Sequence, residues 1–109
     1  MAKPDSLQGS LDLLVLKILS RRPHLHGYAI MSAIREFSGE VLRADEGSLY
    51  PALHRMEENQ WIRAEWTTKE TGHRARIYEV TAAGEKQLAL EESRWHTVIS
   101  AVNRVLRTV

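Results

Sequence analysis

Cysteine is absent from the 109 residues of this chain. Without a thiol there is no disulfide framework, no thiolate nucleophile and no cysteine-based zinc centre. Long apolar runs are missing as well. The longest, Leu11 to Leu19, is interrupted by Asp12 and Lys17, and it falls well short of the roughly 20 residues that span a bilayer. The opening Met-Ala-Lys-Pro-Asp-Ser has no apolar stretch of the kind that directs secretion, so a cytoplasmic protein is expected. Nor is there an excess of one charge: 15 Lys and Arg face 14 Asp and Glu, for a net charge of +1. A nucleic-acid partner therefore requires the positive charge to be gathered on one face. Catalytic signatures are lacking too, with no Gly-rich phosphate loop and no nucleophile beside a base. His24 and His26 stand two apart with no carboxylate or cysteine to complete a metal set. The expectation is a non-enzymatic protein with no cofactor and no metal.

What is present is periodic. Leu7, Leu11, Leu14, Val15, Ile18 and Leu19 recur at three- and four-residue intervals, which predicts an amphipathic helix over about 9–21. Arg22-Pro23 ends it, because proline cannot continue a helix. After a turn at His24 to Gly27, the residues Ala29, Ile30, Ala33, Ile34 and Phe37 predict a second helix over about 27–38, closed by Gly39. A third, about 48–60, takes Ser48 as its N-cap and Pro51 in its first turn, where the missing amide costs least. Leu49, Leu53 and Met56 form its inner stripe. Ser48, Tyr50, Pro51, His54, Arg55 and Glu58 form its outer face.

The period then changes to two. Ile62, Ala64 and Trp66 alternate with Arg63, Glu65 and Thr67, and a polar stretch around Gly72 leads to a second run, so a hairpin with strands over about 61–67 and 75–81 is expected. Thr81 opens a final helix from 82 to the end. Leu88, Trp95, Val102 and Val109 fall seven apart on it, with Val98, Ile99, Val105 and Leu106 between them, a heptad-like seam suited to pairing with a second copy.

The order of helices followed by a hairpin is that of a winged helix-turn-helix: mostly α with a small β-hairpin, residues 1–81 forming the head and 82–109 a dimerisation helix within the same compact unit. The N-terminal end of the third helix, with small Gly47 and Ser48, is expected to approach a phosphate. Lys69, His73, Arg74 and Arg76 concentrate positive charge on the hairpin. That pattern suits DNA reading, and equally a winged-helix adaptor that contacts other proteins.

Longer stretches carry a resemblance. Leu25-His26-Gly27-Tyr28-Ala29-Ile30, then Glu46 through Glu57 (EGSLYPALHRME), Trp61-Ile62, Arg74-Ala75-Arg76-Ile77-Tyr78 and Thr81-Ala82-Ala83-Gly84 resemble, in order and spacing, the PadR family of bacterial transcriptional regulators. The similarity runs from Leu7 to about Trp95, and the short C-terminus is like that of the small subfamily with a single dimerisation helix.

The resemblance implies a homodimeric repressor bound to a two-fold symmetric operator in double-stranded DNA, hence a nucleoid-associated protein. By position it places Tyr28, Ser48, Tyr50, Pro51, His54 and Arg55 near DNA, together with Lys69, Arg74 and Arg76 from the wing. Leu88, Trp95, Val98, Ile99, Val102, Val105 and Leu106 would form the dimer interface. Trp95 has a second reading. Some multidrug-binding members line an apolar pore between subunits with a tryptophan at this place, so Trp95 is the candidate for stacking a small aromatic effector. Where many members have glycine this chain has Gln60, and Asn59 is expected to take the left-handed turn instead.

Overall fold

The computed structural model describes residues 5–108, with side chains described from residue 10 onward. The elements are α1 (Asp5–Arg21), β1 (Leu25–His26), α2 (Gly27–Phe37), α3 (Glu46–Glu58), β2 (Ile62–Thr68), β3 (Arg74–Val80) and α4 (Ala82–Thr108). The architecture is the mostly helical one expected, a helix-turn-helix with a β wing and a long last helix. Leu7 and Val109, expected on the inner stripe and on the seam, have side chains outside the described residues.

The wing is larger than a hairpin. Leu25 and His26, expected in a turn, form a short strand that pairs with Tyr78 and Ile77, giving a three-stranded antiparallel sheet in the order β1-β3-β2. The second edge of β3 carries backbone donors and acceptors that need partners. A two-residue segment leaves no periodic trace in the sequence, so only the neighbouring strand reveals it.

Helix ends follow local chemistry, in places different from those expected. Asp45, not Ser48, caps α3: its carboxylate accepts the Ser48 amide at 2.8 Å, and Asp45 is extended while Glu46 is already helical. The helix therefore starts two residues earlier, and Pro51 falls in its second turn, where it removes one intrahelical hydrogen bond. At the other end Asn59 stays right-handed, and Gln60 itself adopts φ 63°. The Gln60 amide donates to Glu57 O at 2.9 Å and the Trp61 amide to Met56 O at 3.0 Å. These two bonds make a Schellman stop, which offsets the cost of a left-handed non-glycine residue. Gly39 and Glu40 close α2 with the same pair of bonds, to Glu36 O and Arg35 O.

α1 is the central element, packed against α2, α3, β3 and α4. It buries Val15, Leu16 and Leu19 almost completely. Leu16 lay outside the stripe read from the sequence, because a helix with neighbours on several sides buries more than one face. Ile30, Ala33 and Ile34 of α2, and Leu49, Ala52, Leu53 and Met56 of α3, complete the core with Ile62, Tyr78 and Leu88. Leu88 corrects an expectation. At 5% exposure it belongs to the chain's own core, because the first turns of α4 lie against α1.

From residue 93 onward every described residue of α4 is exposed. This 27-residue helix is about 40 Å long at 1.5 Å per residue, and it stretches the molecule to 58 × 28 × 25 Å.

Candidate nucleic-acid interface

Two contacts set α3 beside α2 and the wing. The first is steric. The Tyr50 ring lies directly over Gly27, the first residue of α2, so that a Cβ there would stand 2.8 Å from Tyr50 Cζ. A larger residue at position 27 would push the Tyr50 ring off this seat. The second is electrostatic. Arg76 of β3 donates to Glu57 of α3 at 3.0 Å through Nη2, which ties the wing to α3. The Arg76 guanidinium also lies 5.5 Å from the Trp66 ring centre and 5.9 Å from that of Tyr78, and its Nε is buried without a partner.

Between these elements runs an open groove of about 720 Å³. Six of the residues expected near DNA line it: Tyr28, Tyr50, His54, Lys69, Arg74 and Arg76. Ser48 and Pro51 are exposed on α3 outside the groove. Arg55 is elsewhere again, donating to Asp12 of α1 at 2.6 Å. The N-terminus of α3, expected to take a phosphate, is already occupied by acidic groups. Asp45 accepts the Ser48 amide and Glu46 adds a second carboxylate in the first turn, which satisfies the helix dipole internally.

Trp66 is a groove residue that the sequence does not announce. Strand parity sets it on the half-buried side of β2 with Ile62 and Ala64, and it shares that side. The strand outruns the core, however, so Trp66 is 56% exposed and becomes the wall of the groove. Its cross-strand partner is Arg76, and Arg74, on the diagonal, holds its guanidinium 4.6 Å from the Trp66 ring centre. Such stacking gives a cation–π attraction and limits the freedom of Arg74. The alternation of β2 and the arginines two apart on β3 were the available signal. Tyr78, also in the groove wall, keeps its phenol above the usual range chiefly through burial, with the positive charge of Arg76 opposing.

A helix-turn-helix with a three-stranded wing, sharing a groove lined by aromatic and cationic side chains, defines a winged-helix DNA-binding protein. The profile described as "Transcriptional regulator PadR-like family" matches residues 15–90, and the chain belongs to that family. The fold is similar to that of a transcriptional regulator from Clostridium thermocellum, with a TM-score of 0.83 at 28% identity, covering 92% of this chain and 96% of that one. A regulator from Thermoplasma acidophilum gives 0.81 at 30% identity over 95% and 97% of the two chains. A PadR-like transcriptional regulator from Bacillus cereus gives 0.75 at 28% over 92% and 94%. The chain is thus a DNA-binding transcriptional regulator of a non-enzymatic family. Among the described residues no helix is long and apolar enough to cross a membrane.

Proposed function

We propose that this regulator is a repressor that occupies a two-fold symmetric operator as a homodimer, two copies joining through the exposed half of α4. The observation that carries this reading is the apolar stripe Trp95, Val98, Ile99, Val102, Val105 and Leu106. It runs exposed along a part of α4 in which every described residue from 93 onward is exposed. In a two-fold dimer the two α3 helices enter successive major grooves about 34 Å apart, and occupancy excludes polymerase. The head of residues 1–81 reads DNA, and residues 82–109 couple the copies. A signal acts by changing the angle between the heads, through unequal affinity for the two arrangements.

The test is a mobility shift of promoter fragments, including the one upstream of the chain's own gene, across a salt series. Retardation of a palindromic fragment that weakens with salt is expected; no retardation of any fragment at low salt overturns the reading. Within that experiment Arg74→Ala reports the wing. Arg74 lies over Trp66 at the groove with no carboxylate partner among the ion pairs of the described residues. Its loss is expected to weaken binding to all sequences alike and to lower the salt slope by about one, as a backbone contact does. An unchanged slope takes Arg74 off the phosphate.

Trp95 lies in mid-stripe, so a planar aromatic effector would stack between two copies of it. With Trp61 and Trp66 replaced by Phe, saturable quenching of Trp95 by a planar dye is the expected result. A varied panel that fails to quench leaves Trp95 a packing residue alone.

A further inference from the structure

Arg55 is the outward cation of the recognition helix that the groove does not use. Its guanidinium reaches across to α1 and meets Asp12, 43 residues away in sequence, at 2.6 Å. The Asp12 side chain is only 15% exposed, against 44% for Arg55. The pair therefore differs from the loose contacts of a wet surface, which contribute little. Burial holds the Asp12 carboxyl above the usual carboxylate range, Arg55 opposes that shift, and the negative charge of Glu91 on α4 adds to it. Without Arg55 a mostly buried carboxylate would face Glu91 uncompensated. On another side of α1, Lys17 meets Glu92 of α4 at 3.4 Å, and α1 also packs directly against α4.

Leu49, Ala52, Leu53 and Met56 pack α3 into the core and set its rotation about the helix axis coarsely, since close-packed side chains resist large turns but carry no directional bond. Side-chain tips lie about 5–6 Å from that axis, so a turn of roughly 20° displaces them by about 2 Å. Hydrogen bonds to base edges tolerate a few tenths of an ångström. A charge-assisted bond is both directional and short, and this one acts from the flank of α3 opposite in role to the Glu57–Arg76 tie.

We infer that Arg55 is a positioning residue: its bond to Asp12 sets the rotation of the recognition helix against α1, and it is not a contact to DNA. The inference rests on α3 reading DNA in a sequence-specific manner. Asp12 then shares the function although, as a mostly buried acid, it can make no favourable contact with a phosphate.

The experiment uses full-length protein and a duplex enriched from a random-sequence library by the wild type, with anisotropy titrations over a salt series. Three variants are compared: Arg55→Gln, the isosteric Asp12→Asn, and the double variant. Unfolding midpoints establish the temperature at which each is fully folded, and binding is measured below it. Expected is a similar weakening by both single variants, on the order of tenfold, since groups sharing one bond are coupled. The salt slope stays that of the wild type, and the double variant binds no more weakly than either single one.

Wild-type affinity for Asp12→Asn, together with a slope lower by about one for Arg55→Gln, would put Arg55 on a phosphate and overturn the assignment. Additive losses in the double variant overturn it as well. So does a fall in unfolding midpoint with affinity unchanged, which would leave the pair a purely structural bond. A wild type that enriches no duplex overturns the operator reading and the positioning role together, a result distinct from the others.

Discussion

Val102→Asp is expected to turn a dimer into a monomer and to remove measurable operator binding at concentrations where the wild type saturates. Val102 lies in the middle of the exposed α4 stripe, with Trp95, Val98 and Ile99 on one side and Val105 and Leu106 on the other. In a two-fold arrangement the substituted residue enters the interface from both copies. Each carboxylate would lose its water without gaining a partner, and the two would repel. The chain's own fold is expected to be spared, because Val102 is 47% exposed and lies well beyond Leu88, where α4 enters the core. Far-UV circular dichroism and the unfolding of the head should therefore change little.

The consequence for DNA is larger than for the fold. A monomer engages one half-site, and the second contact ceases to be intramolecular, a loss commonly of 10²–10⁴ in apparent affinity. Sedimentation should give the mass of one chain. A stable dimer with undiminished affinity would mean that the copies meet through another surface.

Gly84→Ala is expected to destabilise the chain by about 2 kcal/mol, lowering the unfolding midpoint by about 10 °C. Helix propensity taken alone predicts the reverse, since alanine in a helix is favoured over glycine by about 1 kcal/mol. Packing decides. A Cβ on Gly84 would overlap the Trp61 carbonyl oxygen and stand 2.6 Å from Val80 Cγ2 and 2.9 Å from Trp61 C. That carbonyl cannot swing aside, because it accepts the Thr81 amide at 2.9 Å and the Thr81 hydroxyl at 3.0 Å. The same hydroxyl caps α4 by accepting the Gly84 amide at 3.0 Å. Relief of the overlap would break the cap and shift α4 relative to β2 and β3.

Gly47→Ala is the matched control. It is also helical and right-handed, yet the nearest atom a Cβ there would meet is Oδ1 of the N-cap Asp45, at an ordinary contact distance of 3.5 Å. There propensity should prevail, and stability should rise by up to about 1 kcal/mol. Urea unfolding of the two variants side by side reads the contrast. A Gly84→Ala protein as stable as the wild type would show that the crossing of α4 over Trp61 is looser than described.

Thr81 illustrates what can be read locally. A threonine before a helical run is a cap wherever the helix goes, and it was legible as such. Gly84, three residues on in the same stretch, was legible only as part of a resemblance, because the reason for it is the carbonyl of a residue on the other side of the hairpin. Arg55 and Arg76 show the same division. Each reads as an outward cation beside DNA, since their carboxylate partners, Asp12 and Glu57, are 43 and 19 residues away. Trp66 reads as inward by strand parity and is exposed because parity fixes the side of a strand, not the point at which the core beneath it ends.

The sequence by itself determined the four helices and two wing strands through their periods, the stops at Arg22-Pro23 and Gly39, the absence of thiol and phosphate-loop chemistry, and the family. Those follow from interactions between residues a few positions apart, or from whole motifs. Tertiary structure alone decided that β1 exists, that α3 is capped by Asp45 and turned off at Gln60, and that Leu88 belongs to the core and not to the seam. It also decided which cations remain at the groove and which are engaged within the chain. These outcomes depend on a partner brought close by the fold, and a side chain's partner across the fold leaves no periodicity in the sequence to announce it.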